Sequence, residues 1–149
     1  LFVYSETGKY TEEVDMWLKK AAEKDHVDAM YELGLFASEQ NRIEDSKKWY
    51  KKAAEKGETT AMNNLANIYS DEGNKEEAMK FYLKSAEKGN PLAFFNLGNY
   101  YEENNNIELA KEYYSKVLDS LKGYPTSKLE QEAVNRLKKL QSVENVKKI

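Results

Sequence analysis

The sequence has no cysteine and only one histidine among its 149 residues. Without cysteine it can form no disulfide and no thiolate metal site, and a thiolate nucleophile is excluded. Its longest apolar runs, such as residues 92–95, are far shorter than the roughly 20 residues that span a bilayer. No stretch has the composition of a signal peptide. We therefore expect a soluble protein of unknown compartment, either cytoplasmic or exported.

Positive charge is not in excess either. The net charge is −3, and 33% of the residues are charged. A non-specific nucleic-acid binder has a basic stripe and a high isoelectric point. DNA and RNA are therefore not expected partners.

The sequence does contain an internal repeat with a period of 32 residues. Residues 49–56 read WYKKAAEK, and the same pattern recurs as WLKKAAEK at 17–24, FYLKSAEK at 81–88 and a worn YYSKVL at 113–118. Self-similarity at a fixed period of this size marks stacked units that cannot bury their apolar faces alone. The sequence predicts a single repeat domain over 1–149. Its parts are a partial first repeat at 1–24, helix-pair repeats at 25–57, 58–89 and 90–123, and a capping helix with a tail at 124–149.

Each repeat is predicted to hold two amphipathic helices, named helix A and helix B in chain order. Apolar and small residues recur at helical spacing, which predicts one buried stripe per helix. The helix A stripes are Met30, Leu33, Gly34, Ala37; Met62, Leu65, Ala66, Tyr69; and Phe94, Leu97, Gly98, Tyr101. The helix B stripes are Val14, Trp17, Leu18, Ala21; Ser46, Trp49, Tyr50, Ala53; Ala78, Phe81, Tyr82, Ser85; and Ala110, Tyr113, Tyr114, Val117. Large aromatic residues are expected to meet small ones across the stack.

The turns repeat as regularly as the stripes. Residues that tolerate a left-handed backbone are Asn41, Gly73 and Asn105 between helices A and B, and Asp25, Gly57 and Gly89 after helix B. Asn74 and Asn106 are expected to cap the next helix, and Asn90-Pro91 to begin the last helix A.

The two ends of the repeat array are less regular. By register Leu1 aligns with Leu33, so residues 1–6 are expected to be the tail of a helix A, with Gly8 in the turn and a helix B at 11–24. In the last copy Leu121 replaces the turn glycine, so helix B should run on to Gly123. Ser127 and Glu130 form a capping box for a final helix over about 127–141. That helix is expected to be a solvating cap.

These residues resemble Sel1-like repeats, a branch of the tetratricopeptide repeat superfamily, over about 10–123. The resemblance is carried by AMxxLAxxY at 61–69, AxxxLGxxY at 93–101, WYxKAAxxG at 49–57, and EKG at 55–57 and 87–89. The short turn EGNKEEA at 72–78 and the segment after Tyr124 look more like the tetratricopeptide branch. The resemblance implies an all-α, right-handed α-solenoid of antiparallel helix pairs with a C-terminal capping helix. It also implies a concave face, lined by helix A, that holds a protein or peptide, and no chemistry of its own.

The candidate partner-binding residues lie on helix A, off the buried stripe. They are Tyr31, Leu35, Asn63, Asn64, Asn67, Asp71, Phe95, Asn96, Asn99 and Glu103. Asn64 and Asn67 recur one repeat later as Asn96 and Asn99. Such a ladder of amides can pair with the backbone of an extended peptide, because an amide both donates and accepts. The alternative is that these asparagines only solvate the face.

Helix A also carries several carboxylates at the predicted face. They are Asp28, Glu32, Glu39, Asp71, Glu102 and Glu103, and no lysine or arginine stands at the corresponding positions. Complementarity then favours a neutral or basic partner rather than a terminal carboxylate. The alternative, that these carboxylates only promote solubility, stays open.

Other polar clusters have structural explanations. His26 lies beside Asp25 and Asp28, but no second histidine can complete a metal site, and no cofactor is expected. The lysine-rich stretches at 47–56 and 80–88 close helices that begin with acidic residues, as the helix dipole prefers, which indicates a solvated convex face.

Two functions are consistent with the sequence. The first is a protein–protein interaction module or scaffold that binds a peptide or protein segment in the helix A groove. The second is an assembly segment of a longer array, or a homo-oligomer that stacks end to end through its first layer, residues 1–4. An enzyme is not expected, because no nucleophile–base pair, metal set or phosphate loop is present.

Overall fold

A computed structural model describes residues 12–148. The helix tail expected at residues 1–6 and the turn expected at Gly8 lie outside the described residues. Within the described part the chain is all-helical, with eight helices and no strand. They are α1 (Glu12–Glu23), α2 (Val27–Glu39), α3 (Ile43–Glu55), α4 (Thr59–Asp71), α5 (Lys75–Glu87), α6 (Pro91–Glu103), α7 (Ile107–Ser120) and α8 (Lys128–Lys147). Helix A of the sequence corresponds to α2, α4 and α6, and helix B to α1, α3, α5 and α7.

The helices form two compact units, and the boundary between Ala78 and Met79 falls inside α5. In the first unit α2 packs between α1 and α3, and α3 also packs against α4. In the second unit α7 packs against both α6 and α8. Every one of these contacts joins helices that are neighbours along the chain, as expected for a repeat.

The predicted stripes are the buried faces. In α2 the side chains of Met30, Leu33 and Ala37 are buried, and in α6 Leu97 is. Trp17, predicted in the stripe of α1, is instead 60% exposed. Among the described residues the main packing partner of α1 is α2, whereas α2, α3 and α7 each pack closely against two helices. One flanking helix covers only part of the α1 surface.

The turns have the predicted left-handed backbone. The φ angle is 64° at Asp25, 58° at Asn41 and 60° at Asn105, and it is positive at Gly57, Gly73 and Gly89. The predicted caps are also confirmed, because the Asn90 side chain accepts hydrogen bonds from the amides of Leu92 and Ala93, and Asn106 accepts one from Leu109. Residues with positive φ therefore end the helices at these turns, and an asparagine side chain begins the next helix at α6 and α7.

Two glycines allow a tyrosine to lie directly on a neighbouring helix. A Cβ atom built on Gly34 would lie 2.5 Å from the Tyr50 ring, and one on Gly98 would lie 2.6 Å from the Tyr114 ring. Both tyrosines are buried. In the first unit the buried Ser46 hydroxyl also donates to the Gly34 carbonyl at 2.8 Å. The predicted close approach of helices A and B is confirmed at these two pairs.

The second unit has a core to which α8 contributes directly. Its buried members are Phe95, Ala110, Tyr114, Val117, Ala133 and Leu140. Leu129 and Leu137 of α8 pack against this cluster as well. The final helix therefore covers the apolar side of α6 and α7 and exposes its polar side.

Two predicted boundaries were wrong. α7 ends at Ser120 instead of running on to Gly123, because Leu121 caps the helix and the chain then turns, with the Tyr124 amide donating to the Leu121 carbonyl. α8 runs to Lys147 rather than to about residue 141. Its last turns are held by an ion pair between Glu144 and Lys111 of α7, with 3.0 Å between Oε2 and Nζ.

Candidate functional site

In the first unit the predicted residues of α2 and α4 meet at a tyrosine pair. Tyr31 and Leu35 of α2 and Asn64 and Asn67 of α4 are half-buried. The rings of Tyr31 and Tyr50 are 5.9 Å apart, and the Asn64 amide hydrogen-bonds both hydroxyls. Burial raises the pKa of Tyr50 to about 12, although the Asn64 contact partly offsets this effect. These phenols therefore stay neutral over the physiological range.

The carboxylates of α2 have no cation on their own helix or on α4, since neither contains lysine or arginine. Asp28 and Glu39 are exposed, and Glu32 is half-buried between them along the helix. Burial raises the pKa of Glu32, and the negative charges of Glu39 and Asp28 raise it further. The pKa of Glu32 is thus raised first by its burial and then by neighbouring negative charges that no lysine or arginine of α2 or α4 offsets.

In the second unit a buried tyrosine again reaches the helix A face. The Tyr114 hydroxyl lies 2.7 Å from Asn99 Oδ1 and 2.7 Å from Glu102 Oε2. A phenol has a single hydrogen, and an ionised carboxylate can only accept. Both neighbours are acceptors, so Asn99 Oδ1 and Glu102 Oε2 compete for the single hydroxyl hydrogen of Tyr114, and the carboxylate is the stronger acceptor of the two.

Cations from α8 surround the same carboxylate. Arg136 Nη1 lies 3.3 Å and Lys139 Nζ 3.5 Å from Glu102, whose side chain is only 15% exposed. Burial alone would raise the pKa of Glu102, but the Tyr114 hydrogen bond and the charges of Arg136 and Lys139 outweigh it and lower the pKa. The expected purely acidic face is thus wrong at Glu102, because α8 supplies cations that the helix A sequence lacks.

A shallow pocket of about 270 Å³ opens at this cluster and is lined by Asn99, Glu102, Glu103 and Arg136. Two of these, Asn99 and Glu103, were predicted site residues. Arg136 was missed. It lies on α8, whose sequence is not a copy of the 32-residue repeat, so the repeat does not predict where this helix packs. The pocket offers both donors and acceptors to a ligand.

Two other predicted residues are not accessible. Asn63 is 0% exposed, and Phe95 is buried in the core, with its ring centroid 5.5 Å from that of Tyr114. Both were assigned to the accessible face because they lie off the apolar stripe. The buried arc of a helix packed on two sides is wider than one stripe, so it includes them. Asp71 is exposed and Asn96 half-buried, as a surface role requires.

Known families match most of the chain. The Sel1 repeat family matches residues 16–26 and 27–58, and tetratricopeptide repeat families match residues 59–88 and 92–120. The chain is a Sel1/tetratricopeptide repeat protein. Its first half matches the Sel1 branch and its second half the tetratricopeptide branch, the two alternatives that the sequence left open.

Solved structures of repeat proteins share the fold. The N-terminal domain of stress-induced protein-1 from C. elegans is 26% identical, with a TM-score of 0.60 over 78% of this chain and 95% of that one. A Sel1 repeat protein from Oxalobacter formigenes is 22% identical, with a TM-score of 0.66 over 90% of this chain and 66% of that one. A protective antigen of uropathogenic Escherichia coli that displays an SLR fold is 28% identical, with a TM-score of 0.66 over 89% of this chain and 34% of that one.

The repeat protein thus spans about a third of the length of the E. coli antigen. No curated protein sequence matches it. Sel1 and tetratricopeptide repeats are generally protein–protein interaction modules, and such scaffolds are typically non-catalytic. The predicted fold class, an all-helical repeat of the solenoid type, is confirmed.

The described residues form neither a metal site nor a membrane span. Across residues 12–148 of the repeat protein, no three His, Asp or Glu side chains are grouped so that they could hold a metal ion. No helix in that part combines the length and the apolar character needed to cross a membrane. His26 caps α2 from the α1–α2 turn, without a side-chain hydrogen bond to the helix.

The Glu102 cluster should make the stability of the repeat protein depend on pH. Because the pKa of Glu102 is lowered in the folded state, its contribution is present above the unfolded-state pKa and is lost as the pH falls through the folded-state value. We expect Glu102→Gln to lower the free energy of unfolding by about 1–2 kcal/mol at neutral pH, and by much less well below pH 4.5. Urea unfolding of both proteins across this range measures the difference.

The matched control is Glu103→Gln, which removes the neighbouring, exposed carboxylate of the same helix. It should change the stability little at any pH. An equal effect of the two substitutions would contradict the assignment of the pH dependence to Glu102.

Proposed function

We propose that the repeat protein binds a neutral or basic peptide or protein segment along its helix A face. The observation that carries this proposal is the face of α2 and α4 in the first unit. It combines half-buried Tyr31 and Leu35 with the exposed carboxylates Asp28, Glu39 and Asp71. Aromatic and apolar side chains of this kind are typical binding anchors.

The preference for a basic partner follows from the surroundings of the Glu32 carboxyl group. Its pKa is raised by burial and by Glu39 and Asp28, which means that its surroundings stabilise the carboxylate poorly and that a nearby cation would be favourable. A lysine or arginine of a bound segment would supply that cation, and the partner's charge would be complementary to the face. In the second unit Arg136 and Lys139 already neutralise Glu102, so the preference for a basic partner rests on the first unit.

The asparagines remain candidates for contacts to a peptide backbone. Asn64 hydrogen-bonds Tyr31 and Tyr50, and Asn99 lies against Tyr114. An amide has two donor hydrogens and an oxygen with two lone pairs, so one such contact uses only part of its capacity. We propose that Asn64 and Asn67, and in the second unit Asn96 and Asn99, bind extended backbone with the remainder.

The test is selection of peptides from a random displayed library by the whole protein. We expect the selected peptides to be enriched in lysine and arginine. Glu32→Gln combined with Glu39→Gln should abolish that enrichment, because it removes two negative charges without removing side-chain volume. Removing these charges relieves repulsion around Glu32, so we expect the variant to stay folded, and its urea unfolding curve checks this.

Glu76→Gln combined with Glu77→Gln is the matched control. These two carboxylates lie in the first turn of α5, a helix B, and the change in net charge is the same. The control protein should select the same basic peptides as the parent. Selection that shows no basic preference, or that the Glu32/Glu39 variant retains, would refute the proposal.

A further inference from the structure

Both tryptophans of the protein lie on helices of the first unit. Trp17 of α1 and Trp49 of α3 stand in the same place of consecutive repeats. Trp17 is 60% exposed, and Trp49 is half-buried. The C-terminal ends of these two helices are adjacent, since Lys56 Nζ lies 3.1 Å from Asp25 Oδ1 just after α1. The exposed indole is unusual, because a large aromatic side chain normally buries most of its area.

Exposed lysines lie over both indoles. Lys48 Nζ is 5.4 Å and Lys52 Nζ 4.9 Å from the Trp49 ring centroid. Lys20 Nζ is 5.4 Å from that of Trp17. Contact with the ring holds each ammonium in place at the surface, so little side-chain freedom remains to be lost when an anion binds.

These ammonium groups are not neutralised within the described part of the protein. There, carboxylates pair with Lys47, which contacts Glu44 and Glu72, and with Lys56, which contacts Asp25. No carboxylate of residues 12–148 pairs with Lys20, Lys48 or Lys52. Glu23 and Glu55, in the last turns of α1 and α3, are the nearby exposed acids along these helices. Positive charge therefore exceeds negative charge at this end of both helices.

A pocket of about 290 Å³ lies beside the exposed indole. Trp17, Lys20, Ala21, Glu23, Lys24 and His26 line it. The lysine–tryptophan face, defined as Trp17, Lys20, Lys24, Lys48, Trp49 and Lys52, thus combines a recess, two aromatic rings and four cations.

We propose that the lysine–tryptophan face binds an acidic protein segment. The cations are complementary to carboxylates, and tryptophan is the residue type that most often dominates interface affinity. A nucleic acid fits less well for two reasons. Lysines already lie over both indoles where bases would stack, and α2 and α4 of the same unit carry carboxylates without a single lysine or arginine. This face is separate from the helix A face, so the two proposals stand independently.

The experiment is a titration of the whole protein with an octaglutamate peptide, followed by intrinsic tryptophan fluorescence. The peptide has no aromatic residue, and both tryptophans of the protein lie on the proposed face, so the signal reports binding there. We expect a saturable change whose affinity falls as salt is added. Octaglutamine, of equal length but neutral, should produce none. Lys48→Gln combined with Lys52→Gln should weaken binding by roughly tenfold or more.

Lys122→Gln combined with Lys128→Gln is the matched control. Both lysines are exposed and lie outside the face, and the net charge changes equally. This control should bind octaglutamate as the parent does. An equal loss in both double variants, an absence of any change in fluorescence, or tighter binding of single-stranded oligothymidylate would overturn the proposal. So would a fluorescence change that depends on protein concentration alone, because it would indicate that a second copy covers the face.

Discussion

A chain that ends at Gly123 should be much less stable and less soluble than the parent. The deletion removes α8, whose Ala133 and Leu140 are buried in the core of the second unit. The sides of Phe95, Tyr114 and Val117 that α8 covers would then face water. Exposed apolar surface of this kind promotes association, and each fully buried leucine contributes about 1.5–3 kcal/mol. Urea unfolding and light scattering measure the two effects.

Two further variants separate the stability contributed by the buried apolar residues of α8 from that contributed by its last turns. Leu140→Ala in the whole protein should by itself lower the free energy of unfolding by about 2–4 kcal/mol, because it leaves a cavity in the core. A chain that ends at Ser142 should stay close to the parent, since Val143 and Val146 are exposed and the Glu144–Lys111 ion pair that it also loses is partly exposed and therefore contributes little. A chain ending at Gly123 that is as stable and soluble as the parent would refute a capping role for α8.

Gly98→Ala should lower the free energy of unfolding by about 1–3 kcal/mol. In an open helix interior the same exchange would raise stability by about 1 kcal/mol, because glycine is a poor helix former. At Gly98 the new methyl group would lie 2.6 Å from the Tyr114 ring, and neither helix can move without disturbing the core. The sign of the measured change therefore distinguishes steric overlap from helix propensity.

The overlap can be tested with a double-mutant cycle. In a Tyr114→Leu background the aromatic ring is gone, so Gly98→Ala should become neutral or stabilising. Ala66, in the same register position of α4, is fully buried, and Ala66→Gly should destabilise by about 1 kcal/mol through helix propensity and further through the loss of a buried methyl group. A Gly98→Ala substitution that costs the same in both backgrounds would contradict the assignment to Tyr114.

The parts of the fold that depend on local sequence could be predicted. Residues such as Asp25, Asn41 and Asn105 determine where helices end, because few residue types adopt positive φ. Apolar spacing identified the stripe of Leu33 and Leu97, because it reflects the helical period itself. Such signals lie within a few residues of the feature that they predict.

The parts of the site that depend on tertiary packing could not be predicted. Nothing local distinguishes Asn63, which is buried, from Asn64, which reaches the face, because the width of the buried arc depends on how many helices flank α4. Arg136 and Lys139 reach Glu102 from 34 and 37 residues further along the chain. The 32-residue repeat does not predict the position of α8. The neutralisation of Glu102 by these two cations was therefore missed.

Tyr50 and Tyr114 are buried side chains of helix B. Their hydroxyls nevertheless lie beside helix A amides, Asn64 for Tyr50 and Asn99 for Tyr114. A single tyrosine side chain therefore connects the core to the helix A face in each unit. A change deep in helix B can move the groups that a partner would touch without altering any of them chemically. Changes in the proposed binding surface are thus constrained by the interior of the protein as much as by the surface itself.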